Sequence, residues 1–384
     1  MRFYTNVFLI GNDILVRGYE NGKHFSDRQK YQPTLFVPTK KRSKYKTLEG
    51  EPVEPVKPGS IRDCREFIDK YSSVQGFRIY GNERYAHQFI SDNYPEDEIK
   101  FDISKIKLIT IDIEVSAESG FPDVFNCAEE LLLITVQDYT TKEIITWGTR
   151  PYESDRENYR YIHCHTEIEL IEKFVQWWEN YSPEVVTGWN CELYDIPYLM
   201  GRMERIMGEK FAKRMSPWNI TRRNEFTIMG RKQIAYDLAG ISVIDYLDLY
   251  KKSPATPNQE SYRLDHIAFM ELGQNKLDHS EFDTFREFYT GNWKKFVDYN
   301  IVDVELVDRL EDKLRLIDLC FTRAYDAKVN FSDIAYQVRT WDAIIYNYLK
   351  KKNIVIPQKE RNQKDEKYAG AYVKEPKPGK YDWV

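Results

Sequence analysis

Three short stretches place carboxylates where packing alone gives them no reason to be. In KLITIDIEVS, residues 107–116, Ile109, Ile111, Ile113 and Val115 recur at every second position. Asp112 and Glu114 therefore share the other face of one strand. In VVTGWNCELYDIPYL, 185–199, a short buried strand leads through Gly188, Trp189 and Asn190 to Asp195, just ahead of a helix with Pro197 in its first turn. In WKKFVDYNIVDVELVDRLEDKLRL, 293–316, an apolar helical seam runs through Phe296, Tyr299, Leu306, Val307, Leu310 and Leu314, and Asp303 lies on it. Each stretch has a plainer reading. The first suits an exposed strand face and the second a helix N-cap. Asp298, Glu305 and Asp308, off the seam, read as a solvated face. Asp303 resists that treatment. A bare carboxylate in a buried seam is destabilised by several kcal/mol, so it must be protonated, paired or metal-bound.

Four carboxylates from three elements have a common resolution in divalent cations that neutralise their repulsion. Hard oxygen ligands suit Mg²⁺ or Mn²⁺. Two such ions about 3.5–4 Å apart form the clamp used for in-line displacement at phosphorus. Tyr299, one helical turn before Asp303, would direct its hydroxyl at the attacking water. With an unperturbed pKa of about 10 it would orient that water rather than take its proton.

The rest of the chain must position these groups. Its 384 residues are enough for two or three domains, and 28 tyrosines raise the aromatic content. The net charge of −5 does not announce a nucleic-acid binder, because metal-binding acids and basic DNA contacts cancel in the sum. Five scattered cysteines, at 64, 127, 164, 191 and 320, include no CxxC pair and point to a reducing compartment. The HCH at 163–165 is read as ordinary strand sequence, and the N-terminus lacks a signal-peptide core.

Residues 1–105 read as mixed α and β, with a basic, Pro-rich surface loop at 39–60. From 106 a three-stranded antiparallel meander is expected, then a helix from about 167 capped by Thr166 and Glu169, then alternating strand and helix. A hairpin is expected to turn near Met229–Gly230, and a long helix to run from about 293 to 325. The fold class is therefore mixed α/β: a central mixed sheet flanked by helices, plus a smaller α+β N-terminal domain.

Taken together, DIE at 112–114, NCELYD at 190–195 and YNIVD at 299–303 resemble the motifs of the DEDD 3′–5′ exonucleases in the subclass with a tyrosine. A wider set, DIEVSAESGFP, TGWNCELYDIPY, ISVIDYLDLYKK, YNIVDV, TWDAII and GAYVKEP, resembles the N-terminal part of a family B DNA polymerase of the T-even bacteriophage type. The resemblance implies a ribonuclease H-like exonuclease domain at 106–316. It divides a second domain between 1–105 and 317–358 and begins a palm at 359–384. The implied activity is proofreading: removal of 3′-terminal nucleotides as monophosphates, with Asp112, Glu114, Asp195 and Asp303 holding metal.

The same resemblance implies DNA contacts. Phe121 matches an aromatic wedge near the primer terminus, and Asn190 a group that positions the terminal nucleotide. Arg231 and Lys232, with Arg222 and Arg223, sit in a strand-separating hairpin, and Lys276 approaches the scissile phosphate. Asp245 and Asp248 match no metal-binding motif. The DxxSLYP and DTD segments that carry nucleotidyl transfer in this family do not occur in the 384 residues, so no polymerase activity is expected of them. The implied partners are single-stranded DNA, the remaining palm, fingers and thumb, and through these a sliding clamp. The implied setting is a monomer in the cytoplasm of an infected bacterium. An RNA-trimming DEDD exonuclease and a non-catalytic nucleic-acid-binding module are the alternatives.

Overall fold

The computed structural model describes residues 1–358, apart from 75, 119, 121 and 279, together with residue 379. The chain opens with an antiparallel sheet of β1 (Arg2–Ile10), β2 (Asp13–Glu20) and β3 (Lys23–Lys30). A second small sheet joins β4 (Leu35–Pro38), β5 (Tyr45–Lys46) and β6 (Pro52–Val56) in the order β4-β6-β5. The segment at 39–60, read as a loop, thus contributes two strands. Pro52 is tolerated as the first residue of β6, and Pro55 because it lies beyond the residues that β5 pairs with. Helices α1 (Ile61–Ser72) and α2 (Tyr85–Asn93) follow.

The site is built on a six-stranded mixed sheet. Strands β7 (Leu108–Val115), β8 (Leu131–Asp138) and β9 (Ile144–Gly148) form the expected antiparallel meander. β10 (Tyr159–His163) joins β9 in parallel. After α3 (Glu167–Tyr181), β11 (Val185–Gly188) pairs in parallel with β7. Helices α4 (Asp195–Met207) and α5 (Glu209–Ala212) lead to a two-stranded hairpin of β12 (Thr221–Ile228) and β13 (Arg231–Leu238). Its turn is Met229–Gly230, both in the left-handed region. Then β14 (Ser242–Asp245) adds to β11, giving the order β10-β9-β8-β7-β11-β14. No helix among the described residues is long and apolar enough to cross a membrane.

The helices that follow are α6 (Tyr246–Lys252), α7 (Leu264–Leu272), α8 (Phe285–Gly291), α9 (Trp293–Leu314), α10 (Leu316–Ala327) and α11 (Gln337–Lys351). The single long helix expected over 293–325 is two. Arg315 adopts the left-handed conformation, and the Glu311 carboxylate accepts hydrogen bonds from the Ile317 and Asp318 amides. That carboxylate supplies the new N-terminus with acceptors its own backbone lacks.

The two faces of β7 divide the labour. Ile109, Ile111, Ile113 and Val115 pack with Leu170, Phe174 and Trp178 of α3 and Leu199 of α4. The other face, with Asp112 and Glu114, meets α9.

The first hundred residues meet the last described helices closely. The Tyr4 hydroxyl donates to the Val329 carbonyl, the Tyr325 hydroxyl donates to the Tyr4 carbonyl, and His87 lies 3.0 Å from Asp333. They are tied to the six-stranded sheet too. Buried Arg17 donates to the carbonyls of Ser182, Pro183 and Gly240. Glu184, wholly buried at the entry to β11, accepts from Thr5, Tyr19 and the Lys107 amide.

Candidate active site

Gly188 ends β11 where a Cβ would stand 2.5 Å from the Ile111 carbonyl oxygen, so only glycine fits against β7. The chain then turns through Asn190, whose φ is +68°. Asp245, the N-cap of α6, holds this turn from below. One of its oxygens accepts from the Asn190 and Leu247 amides, and the other from the Glu192 amide. The carboxylate judged irrelevant to metal binding is thus the brace of the loop, whereas Asp248 pairs with Lys252 on the surface. With the loop held, Asp195 enters α4 as its first residue, and Tyr194 takes the cap position. The Asp195 carboxylate turns to the sheet and accepts from the Ile113 amide at 3.0 Å, between the two acids of β7.

From the opposite side α9 delivers Tyr299, Asn300 and Asp303. Ligand oxygens of Asp112, Glu114 and Asp303 all lie within 4.8 Å of one another. Asp195, Asp303 and Glu114 are 3, 4 and 8% exposed, so water does little to screen them. Burial, then Asp195 and Asp303, push the Asp112 carboxyl well above the usual range. Burial, then Asp303, do the same to Glu114. Asp195 is pushed up to about 7, burial outweighing the hydrogen bond from Ile113. The cluster is therefore under electrostatic pressure that a divalent cation would relieve.

One protein cation partly relieves it. The Lys276 ammonium contacts the Asp303 carboxylate, stands 3.1 Å from the Tyr299 hydroxyl, and lies over the Tyr299 ring. Burial draws its pKa down, but Asp303, Tyr299 and Asp112 more than restore it. These residues line a cleft of about 650 Å³, with Trp189, Tyr194 and Arg286. The acids present are the hard, anionic donor set that Mg²⁺ or Mn²⁺ takes, so the residues fit such ions.

The structure thus brings together Asp112, Glu114, Asp195, Lys276, Tyr299 and Asp303. Asn190 shapes the approach loop but is not among the residues lining the cleft. Arg231 and Lys232 stand exposed at the start of β13, also away from that lining, while Arg222 donates to the Leu9 carbonyl and Arg223 pairs with Glu225. Phe121 and the segment assigned to the palm, 359–384, lie outside the described residues, Gly379 excepted.

Sequence reasoning passed over Asn300, which is fully buried and donates to Asp112 at 2.6 Å. Its place beside the seam was the available signal. The reading of Asp308 as solvated also needs correction. It is buried and paired with Lys142 from the β8–β9 turn.

Comparisons with known proteins converge on one family. A model of the DNA polymerase family B exonuclease domain matches residues 78–267, a span that holds Asp112, Glu114 and Asp195 and stops short of Tyr299 and Asp303. The chain is 33% identical over 410 residues to the DNA-directed DNA polymerase of Escherichia phage RB69, covering 100% of this chain and 45% of that protein. Against the DNA-directed DNA polymerase of Enterobacteria phage T4 it is 33% identical over 404 residues, covering 98% and 44%. It is 25% identical over 353 residues to the DNA polymerase catalytic subunit of Human herpesvirus 7 (strain JI), covering 83% and 34%. The chain spans less than half the length of these relatives.

Proposed function

We propose that this chain, which carries the exonuclease-domain region of a family B DNA polymerase, is a metal-dependent 3′–5′ DNA exonuclease, the proofreading portion of a phage replicative polymerase. The observation that carries the reading is the convergence of Asp112, Glu114 and Asp303 oxygens within 4.8 Å, beside Asp195 and Tyr299. In this reading the sheet is that of a ribonuclease H-like domain at 106–316, and 1–105 with 317–358 form its neighbour.

Asp112, Glu114, Asp195 and Asp303 would hold the divalent cations, Mg²⁺ or Mn²⁺, which supply water activation and neutralise charge on the leaving oxygen. Burial and the nearby Asp303 keep the Tyr299 hydroxyl protonated far above neutral pH. It therefore directs the attacking water by hydrogen bonding and does not act as its base. Lys276 sits within reach of the same space and, released from Asp303, contacts the scissile phosphate. Trp189 and Tyr194 offer aromatic walls to the terminal base, where stacking is worth about 1–3 kcal/mol per base. Phe121, Asn190, Arg231 and Lys232 complete the DNA contacts, the last two from the exposed hairpin. The products are nucleoside monophosphates.

The relatives' greater length supports a partner, the polymerising palm, fingers and thumb, with a sliding clamp reached through them, in the cytoplasm of an infected bacterium. Val338, Trp341, Ile345 and Tyr348, exposed along one side of α11, support such a neighbour. Alone, the chain is taken to be a monomer.

The test compares 3′-labelled DNA and RNA of one sequence, each incubated with the chain and Mn²⁺. Release of labelled deoxynucleoside monophosphate from DNA, with RNA spared, is expected. Equal or faster release from RNA would favour an RNA-trimming exonuclease. Binding without release would mark a non-catalytic module.

A further inference from the structure

Asn300 lies on α9 one residue after Tyr299 and three before Asp303, and its side chain is wholly buried. Its Nδ2 donates to Asp112 Oδ2 at 2.6 Å, across 188 residues of sequence, and the amide also draws the Glu114 carboxyl's pKa down against the burial that raises it. Asp112, when ionised, only accepts hydrogen bonds, so the amide must turn its nitrogen to it. An amide gives the carboxylate a donor without adding positive charge. A lysine or arginine in the same place would compete with a metal ion for the acids.

We propose that Asn300 is a positioning residue, which locks Asp112 in the rotamer that presents its other oxygen toward Glu114 and Asp303. It couples a strand and a helix that carry ligands from opposite sides of one site. Groups that orient metal ligands in this way typically account for about 10–100-fold in metal affinity. The inference rests on the metal reading given above and adds to it a residue that is neither a ligand nor a contact of the substrate.

The test uses the whole chain and Mn²⁺ alone, titrated by calorimetry, with Asn300→Ala and Asn300→Leu beside the wild type. Asn300→Leu keeps the branched shape and removes the donor without adding charge, so it remains informative if the alanine variant folds poorly. Circular dichroism and a melting curve in chelator establish folding for each. The expected result is Mn²⁺ affinity reduced about 10–100-fold in Asn300→Ala and to a similar extent in Asn300→Leu. Folded variants that bind Mn²⁺ as the wild type does, even with a lowered melting temperature, would overturn the proposal and leave Asn300 a packing residue. A wild type that binds no Mn²⁺ would overturn the metal reading itself.

Discussion

The Lys276 ammonium rests against the Asp303 carboxylate, so a protein cation stands beside the acids that a divalent ion would use. It comes from the segment after α7, whose backbone is fixed by the Lys276 amide donating to Asp265 at 2.7 Å. The lysine and the ion should therefore compete. A unit charge about 5 Å away is worth about 1–3 kcal/mol at effective dielectric constants between those of a protein surface and water. Lys276→Gln should bind Mn²⁺ at least about fivefold more tightly in calorimetry, yet cleave DNA more slowly for want of a cation at the phosphate. Unchanged affinity would mean that the ammonium does not oppose the metal.

Tyr299→Phe removes only the hydroxyl 3.1 Å from Lys276. Single-turnover cleavage should slow at least about tenfold, with Mn²⁺ affinity preserved. Loss of metal in this variant would contradict a water-orienting role.

The acid cluster sets a pH dependence whose sign can be worked out. Asp195 is pushed up to about 7 and Asp245 to about 6, burial being the main cause for both, and Asp112 and Glu114 are raised as well. Between their unfolded values near 4 and these folded values, the native state binds more protons than the unfolded one. Stability of the metal-free protein therefore falls as pH rises from about 5 to 8. Glu184 and Asp333, whose folded values are lowered, act oppositely, but their contribution is lost only below about pH 4. Melting curves in chelator should decline across pH 5–8. The increase given by added Mg²⁺ should be larger at pH 8 than at pH 6, since the ion binds the ionised acids. A flat chelator profile would contradict the crowded cluster.

Asp245 offers a test of support at a distance. Replacing it by alanine strands three backbone amides and removes the cap of α6. A loss of about 2–4 kcal/mol in urea unfolding is expected, with cleavage impaired because Asp195 is no longer held. Asp245→Asn keeps the oxygen position shared by Asn190 and Leu247 and should recover part of both.

Arg17 makes four hydrogen bonds to Ser182, Pro183 and Gly240 while buried at the junction between β2 and the six-stranded sheet. Arg17→Met takes the donor from three carbonyls and the arginine charge from Glu184, leaving that carboxylate His24 at 3.4 Å, and should cost about 3–5 kcal/mol by urea unfolding. A change under about 1 kcal/mol would show that the junction is held by apolar packing.

The sequence already carried much of the site because its parts follow strict periods. Alternation placed Asp112 and Glu114 on one face, and the helical seam exposed Asp303 as an acid without a packing reason. What escaped it depends on partners far along the chain. Asn300 is one polar residue among many on α9 until Asp112, 188 positions away, is seen against it. Asp245 looked idle because its partners are backbone amides, which no residue type announces. Asp308 read as solvated until the β8–β9 turn brought Lys142 to it. The break at Arg315 was hidden because the apolar pattern continues through it, while the capping comes from Glu311. At α3 the capping box shifts by one. Thr166 accepts from the Glu169 amide, but the Glu169 side chain reaches the His165 amide.

The most direct test of the central claim is a gel of 5′-labelled single-stranded DNA incubated with the chain in Mg²⁺, in Mn²⁺ and in chelator, beside the Asp112→Ala/Glu114→Ala variant. A ladder that shortens from the 3′ end with either metal, and is absent both in chelator and in the folded variant, is the predicted result. Shortening that persists in chelator or in the variant would contradict a metal centre built on β7.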